Sequence, residues 1–307
     1  MKWIAAAPFA ALAPYQDIVE ALRAAFQSDI QTPVRHHHDI SPKTTLLLMP
    51  SWNAQFTGLK TVTVKANNSE LGFPTVQGVY LLIDNETGAP VAVMDGTELT
   101  RRRTAAAAAL ASNYLSRKDS STLLLLGAGA LAPHFVRAHA AARPIKTVLI
   151  FNRTVEKSVL LAAELVAEGF DARPVDKVEE AVALADIISG LTSSTSAILK
   201  GAWIKPGTHI DLAGAFKATM RETDAEAVGR SRVYVDTREG AFAEAGDLIQ
   251  AQAEGQFDFS MVQGDLFQLC QGTVVGRKTE SEITLFKSCG TALEDLATAI
   301  MVHLRSL

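Results

Sequence analysis

The chain has 307 residues, 48% hydrophobic and 20% charged. That composition suits a soluble α/β enzyme, and the length favours two domains over one core. A net charge of −4 gives no basic footprint for nucleic acid, and no apolar run reaches the roughly 20 residues of a membrane-spanning helix. The apolar start Trp3–Ala7 is broken at Pro8 and Pro14, so a signal peptide is not expected and a cytoplasmic location is.

Ile18, Leu22 and Phe26 recur at helical spacing and predict an amphipathic helix over about 15–28. Strands are expected at Thr45–Met49, stopped by Pro50, then at Leu59–Ala66, Gly78–Asp84 and Pro90–Asp95, forming an antiparallel meander with helices on one side. A long helix follows from Thr100 to about Ser116, with alanines at 105–109. Strands at 123–126, 147–151, 171–175, 186–190, 208–213 and 232–236 then alternate with helices, which implies a parallel, doubly wound, Rossmann-type sheet. Beyond Gly246 the pattern reads as less regular, and a last helix is expected over about Thr291–Leu307, returning to the first domain. The expected division is an α+β domain of residues 1–117 with 287–307, and a dinucleotide-binding domain of 118–286.

The stretch Leu123–Leu126 passes directly into Gly127-Ala128-Gly129-Ala130-Leu131-Ala132 and a helix. The first glycine permits a tight turn, the second lets backbone approach a pyrophosphate, and Ala132 lets the helix pack on the strand. The next strand ends in Phe151-Asn152-Arg153-Thr154, without the acidic residue that would accept from the ribose hydroxyls of NAD. Asn152 and Arg153 instead suit a 2′-phosphate, so NADPH is the expected cofactor, with NADH weaker.

Three features point to an anionic substrate. With Thr100 as N-cap, Arg101, Arg102 and Arg103 would occupy a first helical turn, where the macrodipole disfavours cations unless an anion lies near. A solvated charge run is the alternative. Lys60 shares the apolar face of its strand with Val62 and Val64 and needs a partner there. Arg35, ahead of His36-His37-His38, suits bidentate grip of a carboxylate. Three consecutive histidines do not converge on one ion, so no metal is expected; they either tune pH dependence beside a carboxylate or are buried and satisfied. Cys270 and Cys289 read as small buried hydrophobes.

Ordered motifs along nearly the whole chain resemble the ornithine cyclodeaminase/mu-crystallin family. They include Gly58-Leu59-Lys60, Phe73-Pro74-Thr75-Val76-Gln77-Gly78, Asp95–Thr100 continuing to Arg103-Thr104-Ala105-Ala106, Gly127–Ala130, Asn152-Arg153, Ala245-Gly246-Asp247 and Phe286-Lys287-Ser288. The resemblance implies that Arg35, Lys60 and Arg103 clamp a substrate carboxylate, with Lys60 and Arg103 central to catalysis. It assigns cofactor contact to Thr75, Arg103, Gly127, Ala128, Gly129, Ala130, Asn152, Arg153, Thr154, Thr192, Ala213 and Gly214, and implies a homodimer formed through the first domain. Cyclodeaminases of the family carry an Asp where this chain has Phe216, and phenylalanine transfers no protons. Neither Asp211 nor Asp224 occupies the matching position. The pattern around Phe216 resembles instead the branch that reduces Δ1-pyrroline-2-carboxylate and Δ1-piperideine-2-carboxylate, in which Phe216 would wall the substrate ring. A cyclodeaminase, an alanine-dehydrogenase-like enzyme and a mu-crystallin-like NADPH-binding protein are the other activities the resemblance allows.

Overall fold

A computed structural model describes residues 1–65 and 67–307, apart from the side chains of Ser69 and Glu70. The chain divides into two compact units, Met1–Thr104 with Thr291–Leu307, and Ala105–Gly290.

The first unit begins with β1 (Lys2–Ile4), α1 (Ala6–Leu12) and α2 (Tyr15–Phe26), continues through β2 (His36–Ser41), β3 (Thr44–Trp52), β4 (Phe56–Lys65), β5 (Val76–Asp84) and β6 (Pro90–Asp95), and enters α3 (Gly96–Leu115). Strands β3 to β6 form the expected antiparallel meander, β2, which was not predicted, extends it antiparallel to β3, and β1 joins the far edge parallel to β6. Three residues are too few to show a period, so β1 was not legible. Ala66, the last residue of the expected strand over 59–66, lies outside the described residues.

Two local expectations are corrected. Pro50 does not stop β3; it pairs with Leu59 inside the β3–β4 ladder. The β2 pairing ends at His36–Leu48, and on the same side Trp52 exchanges hydrogen bonds with Gln31. By the two-residue alternation, the missing N–H of Pro50 faces the gap between those partners, where a proline costs no ladder bond. Thr100 is not an N-cap either. Helix α3 starts at Gly96, capped by Asp95, whose Oδ1 accepts from Glu98 N–H at 2.8 Å. The three arginines therefore lie beyond the first turn, and Arg102 pairs with Glu98 at 2.6 Å. The macrodipole carries no information about an anion here.

The unit boundary falls within α3. Its second half belongs with the second unit, where the carbonyls of Tyr114 and Leu115 accept from Arg277 N–H and Thr284 Oγ1. That unit contains β7 (Thr122–Leu126), α4 (Ala132–Ala142), β8 (Thr147–Phe151), α5 (Val155–Ala167), β9 (Asp171–Pro174), α6 (Val178–Leu184), β10 (Ile187–Gly190) and β11 (His209–Leu212). It continues with α7 (Ala225–Gly229), β12 (Arg232–Val235), α8 (Arg238–Glu244), α9 (Gly246–Ala253), β13 (Gly264–Asp265), α10 (Leu266–Gln271) and β14 (Thr284–Lys287). All eight strands pair in parallel, in the order β13-β12-β14-β11-β10-β7-β8-β9. Leu123 to Leu126 are wholly buried, as a central parallel strand requires.

The segment beyond Gly246 is more regular than its sequence suggests. It holds two helices and two strands, and β14 runs between β11 and β12. A four-residue strand, Thr-Leu-Phe-Lys, that ends in a buried lysine has no readable alternation. The chain ends in α11 (Ala292–Arg305), which packs in the first unit against α2, β3 and β4, with Arg305 paired to Asp17 at 2.8 Å.

Candidate functional site

In the first unit, Lys60 lies in mid β4 and is buried, opposite Tyr80 of β5. The alternation that places it among Val62 and its neighbours demands a counter-charge. Asp295 supplies it from the first turn of α11, accepting from Lys60 Nζ at 2.9 Å through Oδ1 and approaching it to 2.7 Å through Oδ2. The same Oδ1 accepts from Arg103 Nε at 2.9 Å, and Arg103 Nη1 donates to Glu294 Oε2 at 2.6 Å. Both carboxylates sit where the positive end of the helix dipole favours them.

Burial and then the charge of Arg103 bring the Lys60 ammonium down to about 8, against the pull of Asp295. Burial also opposes the charge on Arg103, but Asp295 and Glu294 outweigh it and hold the guanidinium charged. Arg35 is half-buried just before β2, and its charge is also felt at Lys60. Thus Lys60 and Arg103 are brought together, within the electrostatic reach of Arg35, with Asp295 as the link. Thr75 lies at the entry to β5, where its carbonyl accepts from Lys65 N–H. His36, His37 and His38 are exposed on β2, so they are not buried histidines.

In the second unit, Gly127 adopts φ 113°, which an L side chain rarely takes, and a Cβ there would stand 3.0 Å from the Leu191 carbonyl oxygen. Gly129 is different: nothing lies within 4 Å of where its Cβ would be. Helix α4 follows with no side-chain cap at Leu131; Ala132 N–H donates to the Gly129 carbonyl and Pro133 has none, so the positive end of the helix dipole, more than its first N–H groups, is what the turn offers a phosphate. A cavity of about 1240 Å³ is lined by Gly127, Gly129, Asn152, Arg153, Thr154 and Thr192, among others. An open turn, an uncapped helix and a cavity of this size fit a dinucleotide.

Asn152 is committed inward. Its Oδ1 accepts from Ala128 N–H at 3.0 Å and its Nδ2 donates to the Thr154 carbonyl at 2.8 Å, which leaves Arg153 as the exposed cation at that tip. Ala130 is exposed on the turn, while Ala213 and Phe216 are half-buried beyond β11.

The loops after β10 and β11 meet on Glu222. Its Oε1 accepts from Thr192 N–H at 2.6 Å and Thr192 Oγ1 at 2.9 Å, and its Oε2 from Gly214 N–H at 2.9 Å. The backbone that carries Glu222 is fixed by Asp247, whose Oδ1 accepts from Glu222 N–H at 2.7 Å and Thr223 N–H at 3.0 Å. Lys287 Nζ lies 3.2 Å from Asp247 Oδ2, an ion pair off the line that a hydrogen bond requires. Burial, offset by Lys287 and reinforced by Asp247, pushes the Glu222 carboxyl up to about 7.

Asp211 and Asp224 are both engaged elsewhere. Asp211 is buried against His139 at 2.8 Å and Ser189 at 2.9 Å, and Asp224 caps α7 through Ala227 N–H. Sequence reasoning missed Glu222 and the Glu294-Asp295 pair as site residues, and took Asp247 and Lys287 only as family markers. For some of these a signal exists: Lys287 ends an apolar strand, and Glu294-Asp295 interrupt the apolar face of an amphipathic helix.

Residues 9–307 match the model of the ornithine cyclodeaminase/mu-crystallin family. A protein named Delta(1)-pyrroline-2-carboxylate reductase from Paracoccus denitrificans is 37% identical over 93% of this chain and 90% of its own length. The structure of Thermococcus litoralis Delta(1)-pyrroline-2-carboxylate reductase in complex with NADH and L-proline superposes with a TM-score of 0.96 at 32% identity, covering 100% of this chain and 97% of that one. An archaeal alanine dehydrogenase dimer with bound NAD superposes at 0.93 and 28% identity, covering 99% and 95%. On this evidence the chain belongs to the ornithine cyclodeaminase/mu-crystallin family.

Proposed function

We propose that this protein is a ketimine reductase that converts Δ1-pyrroline-2-carboxylate to L-proline and Δ1-piperideine-2-carboxylate to L-pipecolate, with NADPH as the preferred cofactor. The observation that carries the substrate half is the buried pairing of Lys60 and Arg103 around Asp295. Similarity to reductases of that name supports the substrate class.

When bound, a reduced nicotinamide supplies the hydride. The residues that would hold it are Gly127, Gly129, Thr154 and Thr192, with Arg153 at the 2′-phosphate. Arg35, Lys60 and Arg103 grip and orient the carboxylate. Asp295 keeps Lys60 and Arg103 at a fixed spacing and offsets part of their charge, so a singly charged acid is matched without a large excess of cation. Near neutral pH the Lys60 Nζ holds its proton, since it releases it only at about 8. A protonated cyclic imine is already electrophilic and needs positioning more than acid catalysis. Phe216, which moves no proton, is consistent with that demand and offers the ring apolar surface. We take residues 1–117 with 287–307 as the substrate and dimerisation domain, 118–286 as the cofactor domain, and the working form as a cytoplasmic homodimer.

Purified protein is assayed for NADPH oxidation with each cyclic imine, and for ammonia release from ornithine with NAD. Imine-dependent oxidation is expected. Ammonia release without it would overturn the assignment.

A further inference from the structure

We propose that Glu222 is a positioning residue of the cofactor crevice: its carboxylate ties together the loops that follow β10 and β11, and taking up a proton loosens that tie. The inference rests on a nicotinamide cofactor occupying this crevice, the reading given above.

Farther along, backbone bonds also join the two loops, with the Ser194 carbonyl accepting from Arg221 N–H and the Glu222 carbonyl from Ile198 and Leu199 N–H, whereas at the strand ends it is the Glu222 carboxylate that links Thr192 to Gly214. Thr192 donates to it from the first loop through N–H and Oγ1, and Gly214 donates from the second through N–H. Thr192 lines the cavity. Glycines stand on both sides of the carboxylate, packed closely against it. A Cβ at Gly190 would stand 2.9 Å from Glu222 Oε2, and one at Gly214 would collide with the Thr192 carbonyl and the Glu222 carboxylate. The two strand ends are therefore shaped around this acid.

The surrounding charges make it titratable. Asp247 on α9 and Lys287 on β14 are the charged groups that act on Glu222, Cys289 follows Lys287, and the neighbouring Arg221 is paired with Glu254. Two buried carboxylates thus share one ammonium, and the second negative charge has no partner of its own. A proton is the remaining way to neutralise it, in keeping with the rise of Glu222 to about 7. Three donors point at the carboxylate, and protonation turns one acceptor oxygen into a donor facing them. At least one loop contact is then weakened.

The test is the affinity of the purified protein for NADH between about pH 6 and about pH 8, read by nucleotide fluorescence. NADH is chosen because it lacks a 2′-phosphate, whose second ionisation near 6 would confuse the profile. The dissociation constant is expected to rise about tenfold as pH falls across that range, following uptake of one proton. Glu222→Gln, which puts an amide where an acceptor is needed, should bind weakly with a flat profile. Thr192→Val removes one donor to the carboxylate and should move the midpoint of the profile upward. A purely structural Glu222 would leave that midpoint where it is.

A flat wild-type profile, or a Glu222→Gln protein that keeps the wild-type pH dependence, overturns the proposal. If Glu222→Gln does not fold, an unmoved midpoint in Thr192→Val overturns it equally. Failure of both NADH and NADPH to bind at any pH would instead remove the cofactor reading, and this inference with it.

Discussion

Lys60 and Asp295 form a buried ion pair, Nζ 2.7 Å from Oδ2, that joins the middle of β4 to the first turn of α11. Removing one partner of such a pair leaves an uncompensated charge in the interior, which costs about 3–5 kcal/mol. Asp295→Asn should lower the unfolding free energy by about that amount, because Arg103 loses the same counter-charge. Urea denaturation measures it, and a loss below about 1 kcal/mol would show that Glu294 alone satisfies both cations.

If Lys60 belongs to the proposed carboxylate clamp, its ionisation should set the alkaline limb of substrate binding. An unfolded lysine keeps its proton to about 10.5, whereas Lys60 loses it at about 8. Between those values the unfolded chain binds more protons, so this group makes the folded state gain stability as pH rises from about 8 to about 10.5. Carboxylate binding should go the other way and weaken above about 8, where the charge is lost. Inhibition by pyrrole-2-carboxylate should therefore fall off above that pH, and Lys60→Arg should carry it to higher pH. Inhibition that stays level well above that point would mean Lys60 does not grip the acid.

Arg153 is exposed beside the glycine turn, and Asn152 is occupied with the turn itself. Arg153→Ala should weaken NADPH by about 10-fold or more, the worth of a charge-assisted hydrogen bond of roughly 1.5–3 kcal/mol, and leave NADH nearly unchanged. Parallel titrations with the two nucleotides decide it. Equal losses would place the 2′-phosphate elsewhere, as would a wild-type preference for NADH, the nucleotide present in the Thermococcus litoralis complex.

The two glycines of the turn should separate folding from binding. Gly127→Ala forces an L residue to φ 113° and against Leu191, at a cost of about 1–3 kcal/mol, so the melting temperature should drop. Gly129→Ala meets nothing within 4 Å and should leave the melting temperature alone while lowering cofactor affinity. Thermal melts with and without NADPH read both. A Gly129→Ala protein with unchanged affinity would argue against close approach of a pyrophosphate.

What the sequence showed most clearly was local periodicity. The strand at Leu123–Leu126, its glycine turn, the alternating elements up to Val235 and the last helix all carry a period or a cap, and all are where the residues suggest. Lys60 was legible for the same reason, as a charge on an apolar face that had to be answered. Its answer was not legible: Asp295 lies 235 positions away, and only the tertiary fold brings it to β4. Glu222 escaped notice because its meaning depends on two loops, Asp247 and Lys287 arriving together from four stretches of chain. The arginines at 101–103 misled because Asp95 starts the helix a turn earlier than Thr100 does.

The position of β14 has a consequence for how the protein is made. A nascent chain that has emerged as far as Val235 holds β7 to β12, yet β11 and β12 have nothing between them until Thr284–Lys287 appears. Until then two strand edges stand open in the middle of what becomes a continuous sheet, and such edges invite mispairing. Folding of the second unit should therefore be late on the ribosome, and polypeptides cut short before residue 284 should be targets for chaperones and proteases.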